Sequence, residues 1–429
     1  MAGDWEAYLD SLAAFGMRPG LKRVDALLEA LGRPQQAFRT IHVVGTNGKS
    51  STTRYSEVLL REHGLRSAAY LSPHITGWAE RVVIEGAPVD ADVFGRVVEQ
   101  VRAAVAALPV ALGDTTQFEV LTVAAFLAMA EAGVQAAAVE AGLGGRLDAT
   151  NVLQAPVVVL TNIALEHTEV LGDTRAAIFG EKAAVIHGGD AVFGPRDGLE
   201  SLAEARCATA RAQGHYWGRE LRASGTPEAF GVTLADRLGR RTYAGLRLPT
   251  MAAYQVGNAA LAVAAVDLLL GGLNEERVRA ALAQAAVPGR LQLVRRAPTV
   301  LADGAHNPHG VGALAASLGP IARPAPRVLL LAVMRDKAFG QMLETLLPLA
   351  DAVVCTQASE PRSLTAAELA AAVRKVGGPR AVTETPDPRS AYAEALRQAG
   401  ARGSVLVTGS LYLLEDLAGT LAGEGDADG

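Results

Sequence analysis

Short β-branched runs alternate with alanine- and leucine-rich helical stretches along most of this chain, and that rhythm admits few folds. Ile41–Val44 leads into a helix candidate that continues through Leu60, and Ala68–Leu71 follows after the helix-stopping Gly64. Ala136–Glu140 and Val157–Leu160 come next, with a helical stretch from Phe118 to Gly133 before the first of them. Continuous apolar runs separated by helices predict a parallel sheet covered on both faces, an α/β architecture.

The character changes from about Gly214 to Pro249, where short alternating strings with Gly and Pro between them predict a small antiparallel appendage. Helical register resumes after Tyr254. Pro288–Pro298 is a candidate linker, and a second α/β series follows it: Thr299–Asp303, Arg327–Val333, Asp351–Gln357 and Ser404–Gly409, with a helix over Thr365–Val376. The expected division is therefore a larger domain over residues 1–287 and a smaller one over 288–429, with a ligand cleft between them. A chain of 429 residues, half of them apolar and one fifth charged, has ample core for this. A net charge of −5 gives no basic footprint for nucleic acid or an anionic membrane. The longest apolar stretch, Ala259–Gly272, is broken by Asp267 and is too short to span a bilayer. The acidic start MAGDWEAYLD carries no export pattern, so a cytoplasmic protein with Cys207 and Cys355 as reduced thiols is expected.

The segment HVVGTNGKSSTT carries the strongest chemical signal. A strand runs into a glycine turn, then Lys49, Ser50 and Ser51, then a helix; backbone N–H groups at such a turn cradle anions, and lysine adds a mobile charge for phosphate. It is not a strict Walker A, because Val43 stands where the first glycine belongs. Ser72, Glu140 and His167 fall at or just beyond the C-terminal ends of other predicted strands, on the edge where parallel sheets bind ligands. A hydroxyl, a carboxylate and an imidazole beside a phosphate loop suit magnesium, which needs few protein ligands when phosphates and water supply the rest. Read singly, each also fits a turn cap, a solvated strand end or a surface loop. The loop AGLGGRLDATN follows Glu140 directly, and its glycines permit close approach of a ligand to backbone.

With these residues in hand, the chain resembles the folylpolyglutamate synthase and dihydrofolate synthase family, within the Mur-type ATP-dependent amide ligases. The resemblance covers essentially the whole chain. Its carriers are GTNGKSS, LSPH (71–74), FE (118–119), VEAGLGGRLDATN, EHTEVLG (166–172), EKAAVI (181–186), PGR (288–290), DGAHNP (303–308) and GSLYL (409–413). It implies a P-loop ATPase domain and a Rossmann-like C-terminal domain. It implies ATP and magnesium as cofactors, and leaves room for a monovalent cation. The substrates implied are dihydropteroate, reduced folates and L-glutamate: ATP phosphorylates the pteroate carboxylate, and the amino group of glutamate attacks the acyl phosphate.

By position, Gly48, Lys49, Ser50 and Ser51 would hold the ATP phosphates, with Asn258, Arg290 and Asp303 as further ATP contacts. Ser51, Ser72, Glu140 and His167 would serve magnesium, together with Lys182 carrying a carbamate derived from carbon dioxide. Met17, Arg18 and Pro19, Thr116, Gln117, Phe118 and Glu119, and Leu147, Asp148 and Ala149 would line the pteroate pocket. His306 and Ser410 resemble positions that handle glutamate, His306 as a candidate base. Ser50 and Ala184 stand where the family usually has glycine, and Glu166 and Glu169 replace aspartates beside His167. The unbroken GLGGRLDATN points to the bifunctional type, with Asp148 expected to accept a pair of hydrogen bonds from a pterin; the competing reading of Asp148 is a turn cap. A monomer is expected, without nucleic-acid or membrane partners. The alternatives are a folylpolyglutamate synthase alone, another Mur-type ligase, or a P-loop metabolite kinase. A GTPase switch is disfavoured by the absence of Asn-Lys-x-Asp.

Overall fold

The computed structural model describes residues 4–12, 20–74, 77–319, 321, 323–378 and 381–425. The chain forms two compact units, Met1–Leu248 with Val256–Ala285, and Pro249–Gln255 with Ala286–Gly429. The short excursion Pro249–Gln255 joins the second unit because Ala252 is buried in that unit's core and Tyr254 packs against it.

The first unit is built on eight strands among the described residues: β1 (Arg39–Val44), β2 (Ser67–Tyr70), β3 (Val82–Ile84), β4 (Ala87–Pro88), β5 (Ala136–Glu140), β6 (Val157–Leu160), β7 (Asp190–Phe193) and β8 (Gln213–Tyr216). Their order is β4-β3-β2-β5-β1-β6-β7-β8, parallel from β2 to β8 and antiparallel only where β3 and β4 extend the edge. Strands β2, β5 and β6 are buried at every residue, as expected of a sheet covered on both faces. The helix Gln117–Glu131 is apolar on every side and buried without interruption from Glu119 to Met129, the signature of a core helix.

A three-stranded antiparallel sheet completes this unit, with β9 (Leu221–Thr226), β10 (Ala229–Asp236) and β11 (Gly239–Leu246) in the order β11-β10-β9. The appendage begins later than the composition indicates, because Gln213–Tyr216 instead closes the large sheet beside β7. His215 disguises that strand. It is buried there with Nε2 donating to Asp190 Oδ1 at 2.8 Å, while Tyr216 stacks on Phe193. Asp267, which interrupts the apolar run of the helix Tyr254–Leu270, is fully buried against Arg241 and Tyr243 of β11 and so ties the small sheet to that helix.

The second unit carries β12 (Gln292–Arg295), β13 (Thr299–Ala302), β14 (Arg327–Leu331), β15 (Ala352–Cys355), β16 (Ala381–Glu384) and β17 (Ser404–Thr408), ordered β12-β13-β17-β14-β15-β16. All pair in parallel except β12. The expected linker Pro288–Pro298 therefore contains an edge strand. Only Val294 of its four residues is buried, so no apolar run announces it. Cys207 and Cys355 are free and buried. Among the described residues no helix is long and apolar enough to cross a membrane.

Candidate active site

Strands β2, β5, β1 and β6 are neighbours and parallel, so their C-terminal ends lie side by side along one edge. From β1 the chain enters the turn Gly45–Gly48 and then the helix Lys49–Glu62. The turn is fastened to the end of β6. Thr46 N–H donates to Asn162 O at 2.9 Å, Asn47 N–H to Asn162 Oδ1 at 3.0 Å, and Thr161 Oγ1 to Asn47 O at 2.6 Å. Thr46 Oγ1 also donates to Ala164 O and accepts from Ala164 N–H. Thr161 and Asn162, which fasten the turn, are not singled out by the sequence; the TN pair after an apolar strand is the available signal. Gly48 has φ 85°, and a side chain there would collide with the Asn258 amide, which places Asn258 directly over the turn.

Two lysines converge on this turn. Lys49 Nζ donates to Gly45 O and Thr46 O, each at 3.1 Å, and Lys182 Nζ donates to Gly45 O at 2.9 Å. Lys182 is only 5% exposed, and burial, reinforced by the Lys49 charge, pushes its ammonium down to about 7 against the weaker pull of Glu166 and Asp148. The glycine-rich loop packs on the same segment, since a side chain at Gly145 would meet the carbonyls of Glu181 and Lys182.

Glu140, 1% exposed at the end of β5, joins two of the other strand ends. Ser50 Oγ donates to its Oε1 at 3.0 Å and Ser72 N–H to its Oε2 at 3.2 Å. Ser51 is buried on the first turn of the adjoining helix. His167 stands on the loop after β6, exposed, with a left-handed backbone (φ 50°). Among the described residues no group of three or more His, Cys, Asp or Glu side chains is arranged to hold a metal. The donors around Glu140 are instead one carboxylate and serine oxygens, hard ligands of the kind magnesium accepts when phosphates complete its shell.

Asp148 is buried, and its carboxylate is engaged by its own loop. Oδ2 accepts from Leu143 N–H at 2.8 Å, and Oδ1 accepts from Thr150 N–H at 3.0 Å and from the Thr150 hydroxyl. These turn-capping contacts engage both oxygens that the expected paired pterin contact would use. Burial raises its pKa while these bonds oppose the rise. Leu147 is exposed and Ala149 buried on either side of it.

Thr116 and Glu119 likewise form a capping box at the start of the helix Gln117–Glu131, legible in the sequence as T-x-x-E. Glu119 also takes a bidentate grip from Arg23, with Nε at 3.0 and 3.1 Å and Nη2 at 2.9 Å, a partner the sequence did not single out. Gln117 Nε2 donates to Leu9 O. The Phe118 ring occupies the space a side chain at Gly142 would need and stacks on Tyr70, so segment 116–119 and the glycine-rich loop do meet. Met17, Arg18 and Pro19 lie outside the described residues.

In the second unit Asp303 is buried, with Tyr254 Oη donating to it at 2.6 Å and the N–H groups of Leu291 and Ala305 at 2.8 Å each. Burial raises its pKa and the nearby Arg290 opposes that rise. Arg290 donates to Gly289 O. His306 Nδ1 is 2.8 Å from Gly304 O; a carbonyl only accepts, so Nδ1 carries the proton and Nε2 is the basic nitrogen. Ser410 is buried and caps the helix Leu411–Asp416.

Known proteins match this chain over nearly its whole length. Residues 289–411 match the family described as Mur ligase, glutamate ligase domain. The dihydrofolate synthase/folylpolyglutamate synthase of Bacillus subtilis is 31% identical over 96% of this chain and 97% of its own. The crystal structure of Mycobacterium tuberculosis folylpolyglutamate synthase complexed with ADP and AMPPCP superposes with a TM-score of 0.90 at 33% identity, covering 97% of this chain and 99% of that one. Escherichia coli FolC in complex with DHPP and ADP gives a TM-score of 0.88 at 29% identity, covering 98% and 97% of the two chains.

Proposed function

The chain belongs to the dihydrofolate synthase/folylpolyglutamate synthase family, and from that premise we propose how its own residues divide the work of ATP-dependent glutamate ligation. The reaction joins L-glutamate to dihydropteroate, and to reduced folates, through an acyl phosphate. A carboxylate is a poor acylating agent because oxide would have to leave, and phosphorylation replaces oxide by phosphate. The enzyme then has to hold groups in line and neutralise charge.

In this reading the N–H groups of Gly48–Ser51 and the Lys49 ammonium take the ATP phosphates, and Lys49 exchanges the Gly45 and Thr46 carbonyls for phosphate oxygens. Asn258, Arg290 and Asp303 make the remaining ATP contacts, Asp303 by orienting Arg290. Glu140, Ser51, Ser72 and His167 would hold magnesium, with Ser50 fixing the Glu140 carboxylate. When bound, magnesium supplies Lewis-acid neutralisation of the transferring phosphoryl group. Lys182 would join that set as a carbamate, which its burial and its pKa of about 7 favour, because only the neutral amine reacts with carbon dioxide.

Thr116–Glu119 and Leu147–Ala149 line the pteroate pocket, with Asp148 shaping its loop and not gripping the pterin. His306 Nε2 accepts a proton from the glutamate ammonium, and Ser410 orients the amino acid. The division follows the two sequence segments, in a cytoplasmic monomer: the phosphate turn and the pteroate pocket on 1–287, and glutamate handling with the ATP contacts Arg290 and Asp303 on 288–429. The observation that carries the proposal is the hydrogen bond from Ser50 of the phosphate turn to the buried Glu140 carboxylate, which sets a hard anionic ligand beside the phosphate cradle.

The test is ADP release by the purified chain with ATP, L-glutamate and either dihydropteroate or a reduced folate monoglutamate, with chromatography of the products. Release is expected to need both glutamate and a pteroate. Release without glutamate would point to a kinase. Extension of folates with no turnover of dihydropteroate would remove the synthase half.

A further inference from the structure

His42 is fully buried in the middle of β1, in register between Val139 of β5 and Val158 of β6, and the mechanism above gives it no task. Its Nε2 lies 2.8 Å from Thr150 Oγ1. That hydroxyl donates its single proton to Asp148 Oδ1, so with Asp148 ionised the histidine must be the donor in the other contact. Its tautomer is thereby fixed with the proton on Nε2, and Nδ1 is left as a buried lone pair with no partner among the described residues. A buried polar atom of this kind is costly, and an aliphatic residue would serve a central strand better. The cost has a return only in what Nε2–H holds.

What it holds is the loop Gly142–Asn151. The directed chain runs from His42 through Thr150 to Asp148, which in turn gathers the N–H groups of Leu143 and Thr150. The next residue is pinned from another side, with His187 Nε2 2.9 Å from Asn151 Oδ1. We propose that His42 is a positioning residue for the pteroate and folate substrates, fixing this loop from inside the strand that carries the phosphate turn and setting affinity for those substrates without setting affinity for ATP. The separation from ATP follows from the bonding of the turn itself. Gly45–Gly48 is fastened to Thr161, Asn162 and Ala164, and none of those bonds passes through His42. The proposal rests on the assignment of Leu147–Ala149 to the pteroate pocket.

The experiment compares wild type with His42→Leu, His42→Gln, Thr150→Val, the double variant His42→Leu/Thr150→Val, and Leu147→Asp. KM for dihydropteroate and for ATP is measured in each, with amide hydrogen exchange at Leu143 and Thr150 as a readout independent of turnover. His42→Leu should raise KM for dihydropteroate about five- to tenfold, the size of one lost buried hydrogen bond, with KM for ATP within about twofold. His42→Gln should restore most of the loss, because its amide N–H can reach the same hydroxyl. The double variant should be no worse than either single change, since both cut one chain. Exchange at Leu143 and Thr150 should quicken. If His42→Leu does not fold, Thr150→Val carries the same comparison. Equal rises in both KM values, or an unchanged dihydropteroate KM, overturn the proposal. Should Leu147→Asp also leave dihydropteroate KM unchanged, the pocket assignment falls with it; should Leu147→Asp raise it while His42→Leu does not, only the positioning role falls.

Discussion

Lys49 and Lys182 donate to one and the same oxygen, the Gly45 carbonyl, at 3.1 and 2.9 Å. Lys182 is the more buried of the two, and that burial, with the neighbouring Lys49 charge adding to it, holds its ammonium down to about 7. Converting that amine to a carbamate would reverse its sign and turn the repulsion into an ion pair. Lys182→Ala should therefore lose roughly a hundredfold or more of turnover, and formate or acetate should restore part of it by occupying the vacated place. Lys49→Ala should lose activity with no such rescue, while staying folded by circular dichroism. Full activity of Lys182→Ala without any additive would remove the carbamate from the mechanism.

Ser50 offers a second test, because it departs from the glycine usual at its place and its hydroxyl bonds Glu140 Oε1 at 3.0 Å. A hydrogen bond to a buried carboxylate contributes about 1.5–3 kcal/mol, so Ser50→Gly should leave Glu140 less well fixed. The expected result is a rise of about tenfold in the magnesium concentration giving half-maximal rate, with a melting temperature close to that of the wild type. An unaltered magnesium titration would show that Glu140 needs no help from the phosphate turn.

Asp148 separates a folding role from a recognition role. Removing its carboxylate strands the N–H groups of Leu143 and Thr150 in a buried loop, a loss of about 1–3 kcal/mol for each unsatisfied group. Asp148→Ala should accordingly lower the melting temperature, and should raise KM for dihydropteroate and for a reduced folate together. Direct pterin recognition would do otherwise. It would raise the two KM values and leave stability intact.

The parallel sheet, the phosphate turn and the edge holding Ser72 and Glu140 were legible because each is a local pattern: an apolar run, then glycine or a polar residue at its end. Strand β8 was not, since its burial depends on Asp190 receiving His215 from the neighbouring strand. Strand β12 was not, since an edge strand with one buried residue has no periodicity to read. The site shows the same division. That Glu140 ends a strand is written in AAAVE, but that it bonds Ser50 ninety residues earlier is a consequence of the order β5-β1. The contacts of Asp148 were hidden for a related reason: its residue type suits a pterin, and only the folded loop brings the N–H groups of Leu143 and Thr150 onto its oxygens.

His42 makes the stability of the protein depend on acidity in a predictable direction. Burial, with the His187 charge adding to it, lowers its pKa from 6.5 to about 3, so the folded protein keeps it neutral where the unfolded chain protonates it. Above pH 6.5 the imidazole is neutral in both states and contributes no dependence. As pH falls below 6.5 the unfolded state takes a proton that the folded state refuses until near pH 3, and stability is lost by up to about 1.4 kcal/mol per pH unit. Between pH 7 and pH 5 this amounts to roughly 2 kcal/mol from one residue. His42→Gln removes the titrating group but not its hydrogen bond, so the variant should gain on the wild type by about that amount over the same interval. His74 and His187, also lowered by burial, titrate alike in both proteins and cancel in the difference. Urea denaturation of the two proteins at pH 7, 6 and 5 measures it directly, and stability curves that run parallel through that range would show that His42 takes up its proton in the folded protein.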